Sequence, residues 1–413
     1  MSQVAATSRT TREMDGTAAA ARFTTDFVPA FLKRALVPGD GPAAVLESLD
    51  GTGPVTTLCQ CRTIFTLAHL HLATGRADLL DAALRIHGFA SAHLKTVEGG
   101  YRSAVSADGQ PLADPVSRTC RSYDQSFALM ALVTLRRASP TMIPANAADA
   151  LWDFVERRLI ETETGALFDD DRGDEGSSIR SHNPHMHMFE ALLQAFEMTG
   201  EDCWLERADR FVALAQRFFV DAGTGAVREF AGRDLGPLPG PQGRRCEPGH
   251  QFEWAWLLRR YAALGGQADV LSMARRLQSF AETHGVRSGG PMHGALYDAL
   301  DDDGTIVEAT HLLWPQTEAG KLYAALLVDD VENAGSNAAA LKAKRAADLV
   351  FARYFAPDGA IRWVNRLDGE GRVVWNEALT RLLYHVALFV TEGGRAGLWK
   401  LDGSGGHPIP HHS

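Results

Sequence analysis

A helical pattern that repeats about every 65 residues is the feature that most constrains how this chain can fold. Stretches with apolar residues on several sides begin near residues 57, 122, 184, 250, 315 and 377. Between them lie stretches with one apolar stripe and one polar face. Helices of the first kind suit burial on most sides, whereas striped helices suit an outer layer. Because one such pair cannot bury its apolar faces alone, the pattern predicts six pairs that pack against one another.

A short glycine-led phrase with the composition of a strand recurs between each striped helix and the next apolar one. An open helical solenoid is one alternative for such repeats, but solenoid repeats usually span about 33 to 47 residues. The longer period and the strand-like insert favour closure of the six pairs into a ring. The predicted fold is therefore an all-α (α/α)6 barrel with short strands in its loops. The phrases lie at residues 100–101, 165–168, 225–227, 294–297 and 359–361.

The composition is that of one large folded domain with a loose segment at each end. With 413 residues, of which 45% are hydrophobic, the chain can bury a large core. We predict a disordered N-terminal tail at residues 1–20, a single catalytic domain at residues 21–400 and a flexible C-terminal tail at residues 401–413. The first twenty residues lack the apolar core of a secretion signal. No run approaches the roughly 18 apolar residues of a membrane span.

Charge and cysteine usage narrow the possible partners and the compartment. The formal charge of −10 and the absence of basic runs argue against nucleic acid or a membrane surface as a partner. The five cysteines include no Cys-x-x-Cys pair, which indicates a reduced, cytoplasmic setting. The sequence has no glycine-rich phosphate loop, and His185 and His187 would face different directions on a helix. We therefore predict no metal and no cofactor, in a monomer or a homodimer.

Polar and aromatic side chains are concentrated at the starts of the six apolar helices. In a ring of alternating helix direction these starts point the same way, so their side chains converge at one mouth. Helix capping by Asp124 and Asn183 would explain one polar residue per helix, but not this density of His, Glu, Arg, Trp and Tyr. A functional pocket is therefore predicted. Its candidate residues are Arg62, Tyr123, Asn183, His187, His250, Glu253, Trp314, Glu318, Arg381 and His385.

Four motifs within these starts resemble the N-acylglucosamine 2-epimerase superfamily. They are Asn-Pro-His-Met-His at 183–187, Glu-Pro-Gly-His-Gln-Phe-Glu-Trp-Ala-Trp at 247–256, Trp-Pro-Gln-Thr-Glu-Ala at 314–319 and Tyr-His-Val at 384–386. The resemblance extends from about Phe23 to Phe389. It implies an (α/α)6 barrel, in agreement with the ring inferred from the spacing. It also implies proton transfer at the carbon beside a sugar carbonyl, with no metal or redox cofactor, and a monosaccharide or related sugar as the substrate.

The resemblance implies a catalytic role for four of the candidates. His385 is expected to remove the proton from C2 of the open-chain sugar, and His250 to be its partner acid or base. Histidine suits both tasks because its pKa lies near neutrality. Glu253 is expected to orient His250 or to assist ring opening. Arg62 is expected to stabilise negative charge on the C1 or C2 oxygen, which a fixed cation does best in a dry pocket.

The other six candidates are expected to bind the substrate. By resemblance, Tyr123, Asn183 and His187 would hold hydroxyl groups, whereas His185 would be structural. Trp314 would form an apolar wall against the pyranose ring, and Glu318 belongs to the same binding set. Arg381 stands where many relatives have a smaller or amide residue. On the predicted sixth apolar helix it would share the face of His385 and narrow the pocket or bind a hydroxyl.

The leading functional hypothesis is isomerisation of D-mannose to D-fructose. The phrase at 362–368, Arg-Trp-Val-Asn-Arg-Leu-Asp, resembles the superfamily branch that acts on unmodified monosaccharides, especially the mannose isomerases. One alternative is a 2-epimerase acting on glucose or mannose units, cellobiose or an N-acylglucosamine. Another is a non-catalytic sugar-binding protein. A glycoside hydrolase would need two carboxylates and would leave the histidines without a role. The segments 169–178 and 232–244 are predicted as candidate lids, because both combine glycine with charged residues.

Overall fold

The computed structural model describes residues 15–37, 41–49, 51, 53–329, 335–355 and 362–401, and it is predominantly helical. The helices are α1 (Gly16–Ala21), α2 (Val28–Ala35), α3 (Thr57–Thr74), α4 (Ala77–Phe89), α5 (Ser122–Ala138), α6 (Ala147–Arg158), α7 (His182–Thr199), α8 (Asp202–Leu214), α9 (Pro241–Arg244), α10 (Pro248–Ala263), α11 (Val270–His284), α12 (Leu313–Asp329), α13 (Gly335–Leu349) and α14 (Leu383–Arg395). Short strands lie in the loops at Val55–Thr56 (β1), Ala104–Val105 (β2), Ile179–Ser181 (β3), Phe230–Gly232 (β4), Arg245–Cys246 (β5), Ala299–Asp301 (β6), Ile306–Glu308 (β7), His311–Leu312 (β8), Arg366–Leu367 (β9) and Val373–Trp375 (β10).

The more apolar helices form a closed inner ring. Each of α3, α5, α7, α10, α12 and α14 contacts the next one around the ring, and α14 contacts α3. The striped helices α4, α6, α8, α11 and α13 pack outside them, as the pattern predicts. This ring confirms the predicted (α/α)6 barrel with short strands in its loops. Of the helices that can be described, none is both long and apolar enough to cross a membrane.

The glycine-led phrases close small loops on the outer helices. In each loop an extended residue follows the outer helix. It forms a single antiparallel bridge with a residue in the glycine-led phrase or just beyond that phrase. The phrase at 359–361 lies outside the described residues, but the residue two positions later makes the equivalent bridge. The five bridges join Lys95 to Tyr101, Ile160 to Leu167, Val220 to Val227, Val286 to Leu296, and Phe355 to Trp363.

A glutamine near the start of an inner helix holds each of several loops in place. The Gln251 side chain accepts the backbone N–H of Val227 at 2.8 Å and donates to the carbonyl of the same residue at 2.8 Å. Gln60, Gln125 and Gln316 clamp the backbone at residues 45, 101 and 296 in the same way. On α7 the clamp is His185, whose Nε2 accepts the Leu167 N–H at 2.9 Å and whose Nδ1 donates to the Ser181 carbonyl. Both ring nitrogens of His185 are thus engaged in structure.

Replacing Gln251 by alanine is expected to destabilise the fold by about 2–4 kcal/mol, because it leaves a buried N–H and a buried carbonyl at Val227 without partners. Urea unfolding followed by circular dichroism measures the change. The matched control is Gln278→Ala on the outer helix α11, where the amide contacts only the Glu282 side chain; a loss below about 0.5 kcal/mol is expected there. Equal losses for the two variants would contradict the clamp.

The sixth inner helix starts later than the sequence pattern predicts. Leu379 bridges to Ser48 in extended conformation, and the Thr380 N–H donates to the Glu47 carbonyl at 2.9 Å. These contacts hold the chain extended, so that α14 begins only at Leu383 after a 3₁₀ turn at Thr380–Leu382. Arg381 therefore lies in that turn and not, as predicted, on a helix shared with His385.

The described part of the chain begins before the predicted domain boundary at residue 21. Asp15 caps α1 by accepting the backbone N–H groups of Thr17 and Ala18. The Gly16 N–H donates to Asp348 at 2.9 Å, and Ala20 is fully buried. The predicted disordered tail is therefore incorrect for residues 15–20. Residues 1–14 and 402–413 lie outside the described residues. One contiguous apolar core includes side chains from Ala20 to Leu401.

Candidate active site

A cavity of about 220 Å³ lies at the mouth of the barrel, where the starts of the inner helices converge. Nine of the ten predicted residues line it, and the tenth, Glu318, lies behind His385. The structure adds lining residues that the sequence interpretation did not select, of which Glu247, Asn365 and Trp375 are polar or aromatic. The nine are Arg62, Tyr123, Asn183, His187, His250, Glu253, Trp314, Arg381 and His385.

One position of the repeat supplies a ring of side chains around the barrel axis. On five inner helices this position lies two residues after the glutamine or histidine that clamps a loop. On α14 it is the third residue of the helix. Neighbours around the ring are close: the Arg62 guanidinium lies 4.2 Å from the Phe127 ring centre, and that ring lies 4.7 Å from the His187 ring. His187, Glu253, Glu318 and His385 continue the ring back to Arg62. The repeat therefore brings a cation, two imidazoles and two carboxyl groups together.

His385 is held as a neutral imidazole that carries its proton on Nδ1, so that Nε2 is an acceptor. Its Nδ1 donates to Glu318 Oε1 at 2.8 Å, and Nε2 lies 3.4 Å from Nη1 of Arg62. Burial, followed by the positive charges of Arg62 and Lys321, holds the pKa of His385 well below its usual value. Because Glu318 is fully buried and engaged behind His385, it orients this histidine. The prediction that Glu318 binds the substrate is not supported.

His250 is held in a similar way by a carboxylate that the sequence interpretation missed. Its Nδ1 lies 2.9 Å from Oε2 of Glu229 and 3.5 Å from Oε2 of Glu247. Burial holds the pKa of His250 below its usual value, and the nearby carboxylates Glu247 and Glu318 offset this effect only in part. The carboxylate that contacts His250 Nδ1 is therefore Glu229 and not Glu253, which leaves ring opening as the predicted role of Glu253. The sequence did contain a signal for Glu229, because it stands two positions after Val227, the residue of the glycine-led phrase that Gln251 holds.

The floor of the cavity is a buried charged cluster formed by Glu190, Glu253, Glu318 and Lys321. The Lys321 Nζ forms an ion pair with Glu318 at 2.5 Å and lies 4.0 Å from the Trp256 ring centre. Burial alone would lower the pKa of Lys321, but the carboxylates around it raise that pKa, so the amine stays charged. Sequence reasoning missed Lys321 and Glu190, because neither stands at a helix start.

Glu253 differs from the other acids of the floor because neither of its oxygens has a hydrogen-bond partner in the described structure. Burial, followed by repulsion from Glu318, raises the pKa of Glu253 well above its usual value. The protonated form of Glu253, which can donate a proton, is therefore favoured where this side chain faces the cavity. For Glu190, by contrast, hydrogen bonds from His187 and Tyr384 outweigh burial and lower its pKa to about 2.

The predicted substrate-binding groups present free polar atoms or paired cations to the cavity. The Tyr123 hydroxyl accepts from Arg62 at 2.7 Å. Asn183 is not a helix cap, because Ser181 caps α7, and its Oδ1 is buried without a partner. Arg381 is ion-paired with Glu47 at the rim. The candidate lids contact each other through Arg233 and Asp174 at 3.2 Å; their closure over the site stays a prediction.

Trp314 lies between the two candidate catalytic histidines, with its ring centre 4.7 Å from the His250 ring and 5.7 Å from the His385 ring. A Cβ atom at Gly249 would lie 2.5 Å from this indole. We therefore expect Gly249→Ala to displace Trp314 and to reduce kcat/KM by about 10²-fold, as misplacement of about 1 Å can do. Steady-state kinetics checks this. The control is Gly289→Ala, where a Cβ meets nothing within 4 Å; equal activity of both variants would contradict the packing role.

The fold and the site together define an (α/α)6-barrel sugar isomerase or epimerase. The family profile described as N-acylglucosamine 2-epimerase (GlcNAc 2-epimerase) matches residues 48–388, and the chain belongs to this family.

Individual relatives agree on the family but differ in their reactions. The chain is 33% identical over 301 residues to a mannose-6-phosphate isomerase of Rhizobium meliloti. The alignment covers 71% of this chain and 74% of that protein. The chain is 30% identical to a D-mannose isomerase of Pseudomonas cannabina pv. alisalensis, covering 67% and 68% of the two chains. A crystal structure of D-mannose isomerase superposes with a TM-score of 0.78 at 19% identity, covering 94% and 99% of the two chains. The cellobiose 2-epimerase of Spirochaeta thermophila superposes with a TM-score of 0.76 at 21% identity, covering 92% and 96%.

Proposed function

We propose that this protein isomerises D-mannose to D-fructose. The observation that carries the proposal is the unequal environment of two imidazoles in one cavity. Arg62 and Lys321 disfavour the charged form of His385, whereas the carboxylates Glu229 and Glu247 lie close to Nδ1 of His250. Burial lowers the pKa of both imidazoles, but the carboxylates oppose this at His250, so the charged form is less disfavoured at His250 than at His385. His385 is thus the base and His250 the acid.

The reaction follows from this arrangement. His385 Nε2 takes the proton from C2 of the open-chain aldose, and the electron pair enters a cis-enediolate. Arg62 donates to the oxygen that becomes negative, because its guanidinium already lies beside His385 Nε2. His250, as the imidazolium, adds a proton to C1, and the O2 hydroxyl proton moves to O1, which gives the ketose. Glu253, whose raised pKa favours its protonated form, would protonate the ring oxygen during ring opening.

The size and charge of the cavity support an unmodified monosaccharide. Its volume of about 220 Å³ lies below the range typical of drug-sized ligands. The cations in its lining are Arg62, which lies beside His385, and Arg381, which is neutralised by Glu47. A phosphate group would need a further cation, because Arg62 is assigned to the oxygen of the enediolate and Arg381 is paired with Glu47. Mannose is therefore proposed in preference to mannose 6-phosphate, the substrate in the name of the Rhizobium meliloti relative.

The second candidate is 2-epimerisation on the same scaffold. It is favoured by the 28% identity with the N-acylglucosamine 2-epimerase of Bos taurus, over 72% of this chain and 69% of that protein. In that reaction His250 would deliver its own proton to C2 from the opposite face, while His385 keeps the proton that it removed, with no change at C1.

Product analysis separates the candidates. The purified protein is incubated in D2O with D-mannose, mannose 6-phosphate, D-glucose, cellobiose or N-acetylmannosamine, and the products are identified by anion-exchange chromatography and NMR. Fructose from mannose, with deuterium at C1, is the expected result. An aldose product from any of these sugars would support the epimerase. Absence of both fructose and deuterium incorporation from mannose would rule out the isomerase.

A further inference from the structure

His182 is a buried imidazole that the proposed reaction does not use. It is fully buried at the first position of α7, and neither ring nitrogen makes a hydrogen bond in the described structure. Its Nδ1 nevertheless lies 3.3 Å from Oε2 of Glu229, and its ring centre lies 4.7 Å from the ring of His250. Buried polar groups are normally paired, so this histidine calls for a ligand.

The side chains around His182 form a set of metal-binding atoms. One nitrogen each from His182 and His250 and one oxygen of Glu229 lie within 4.8 Å of one another. Oε2 of Glu229 is 3.3 Å from His182 Nδ1 and 2.9 Å from His250 Nδ1. Ligand atoms at 2.0–2.1 Å from a tetrahedral zinc ion stand about 3.3 Å apart. Small shifts of this cluster would therefore admit a metal ion.

We propose that His182, Glu229 and His250 form a binding site for a divalent transition metal of the zinc class. Two imidazoles and one carboxylate are a common donor set for such ions. Glu247, whose Oε2 lies 3.5 Å from His250 Nδ1, borders both the cluster and the cavity, so the fourth position is open to this carboxylate or to water. The carboxylates of the cavity floor are a poorer site, because the ammonium group of Lys321 already lies among them.

Metal binding at this site would prevent His250 from acting as an acid. A metal on Nδ1 displaces the proton that His250 donates to Glu229, and in the neutral ring this proton moves to Nε2. The bound ring then has no free nitrogen to take up a proton and become the imidazolium that the proposed isomerisation requires. This inhibitory consequence rests on the proposed function, whereas metal binding itself does not.

Binding is tested first, without sugar. The full-length protein, with His407, His411 and His412 replaced by serine to remove the histidines of the C-terminal tail, is stripped with EDTA, dialysed and titrated with ZnCl2 by calorimetry. One zinc ion per chain with a micromolar or tighter Kd is expected, and Co2+ should give the intense visible absorption of a tetrahedral site. His182→Phe should weaken binding at least tenfold, whereas His284→Phe on the outer helix α11 should leave it unchanged.

Absence of saturable binding would overturn the proposal, as would equal affinity of the two variants. Thermal unfolding verifies that each variant is folded, and His182→Asn replaces His182→Phe if the latter is not. Inhibition is measured separately, from initial rates in zinc-buffered solution. At least a tenfold loss that EDTA reverses is expected, with Mg2+ as the inactive control. Zinc binding without inhibition would overturn the inhibitory effect on His250 but would leave the metal site supported. Calorimetry tests the metal site even if the protein isomerises none of the sugars.

Discussion

Replacement of His385 by asparagine is expected to lower kcat of the proposed mannose isomerisation by about 10²- to 10⁴-fold, the range that a positioned acid–base group contributes. The amide can still donate to Glu318, as the Nδ1 of His385 does at 2.8 Å, but it cannot accept a proton at the position of Nε2. Substrate binding should change much less, because the other lining residues are retained. Initial rates with mannose over a range of concentrations separate kcat from KM.

A matched control is offered by His69 on α3, a histidine whose pKa burial lowers to about 4 and whose Nε2 contacts Thr391 at 3.0 Å. It lies outside the cavity lining, so His69→Asn should keep kcat within about threefold of the wild-type value. A His385→Asn variant as active as His69→Asn would show that His385 is not the base.

Replacement of Lys321 by methionine is expected to destabilise the fold by about 3–5 kcal/mol near neutral pH, the usual result of removing one partner of a buried ion pair. Lys321 is fully buried and pairs with Glu318 at 2.5 Å. Without the charge of Lys321, ionised Glu318 has His385 as its remaining partner, and the repulsion from Glu190 is no longer offset. Urea unfolding at a series of pH values measures the effect.

The loss of stability in Lys321→Met is expected to grow as the pH rises. In Lys321→Met the folded-state pKa of Glu318 is raised above its unfolded value, so the penalty is small below the unfolded pKa and grows as pH rises toward the folded pKa. The variant should therefore be closest to the wild type at acidic pH and furthest from it above neutrality. Lys342→Met is the surface control, since its pair with Glu282 is exposed; it should cost less than about 1 kcal/mol at any pH. Similar losses for the two variants would contradict the role of Lys321.

The ring of helices could be predicted from the sequence because apolar periodicity is a local property of each helix. The same holds for the mouth, since residues such as Arg62 and His187 stand at helix starts that the repeat brings to one end. The start of α14 could not be predicted, because the chain is held extended there by residues 47–49, more than 300 positions away.

The partners of the two histidines were the least accessible part of the site. Glu318 contacts His385 across 67 residues of sequence, and Glu229 contacts His250 across 21. The sequence interpretation paired His250 with Glu253 instead, a residue three positions later on the same helix. In the barrel Glu253 lies near Glu318 and His385 in the cavity floor. Such pairings depend on how neighbouring helices and loops pack, which one helical pattern does not contain.

A crystal structure of the protein with D-mannitol, an open-chain polyol, tests most directly whether two imidazoles act on one sugar carbon. The polyol should occupy the cavity with C2 within about 3.5 Å of His385 Nε2, and with His250 Nε2 against C1 or the opposite face of C2. Mannitol bound elsewhere, or in contact with only one of the two rings, would contradict the assignment of His385 and His250 as base and acid.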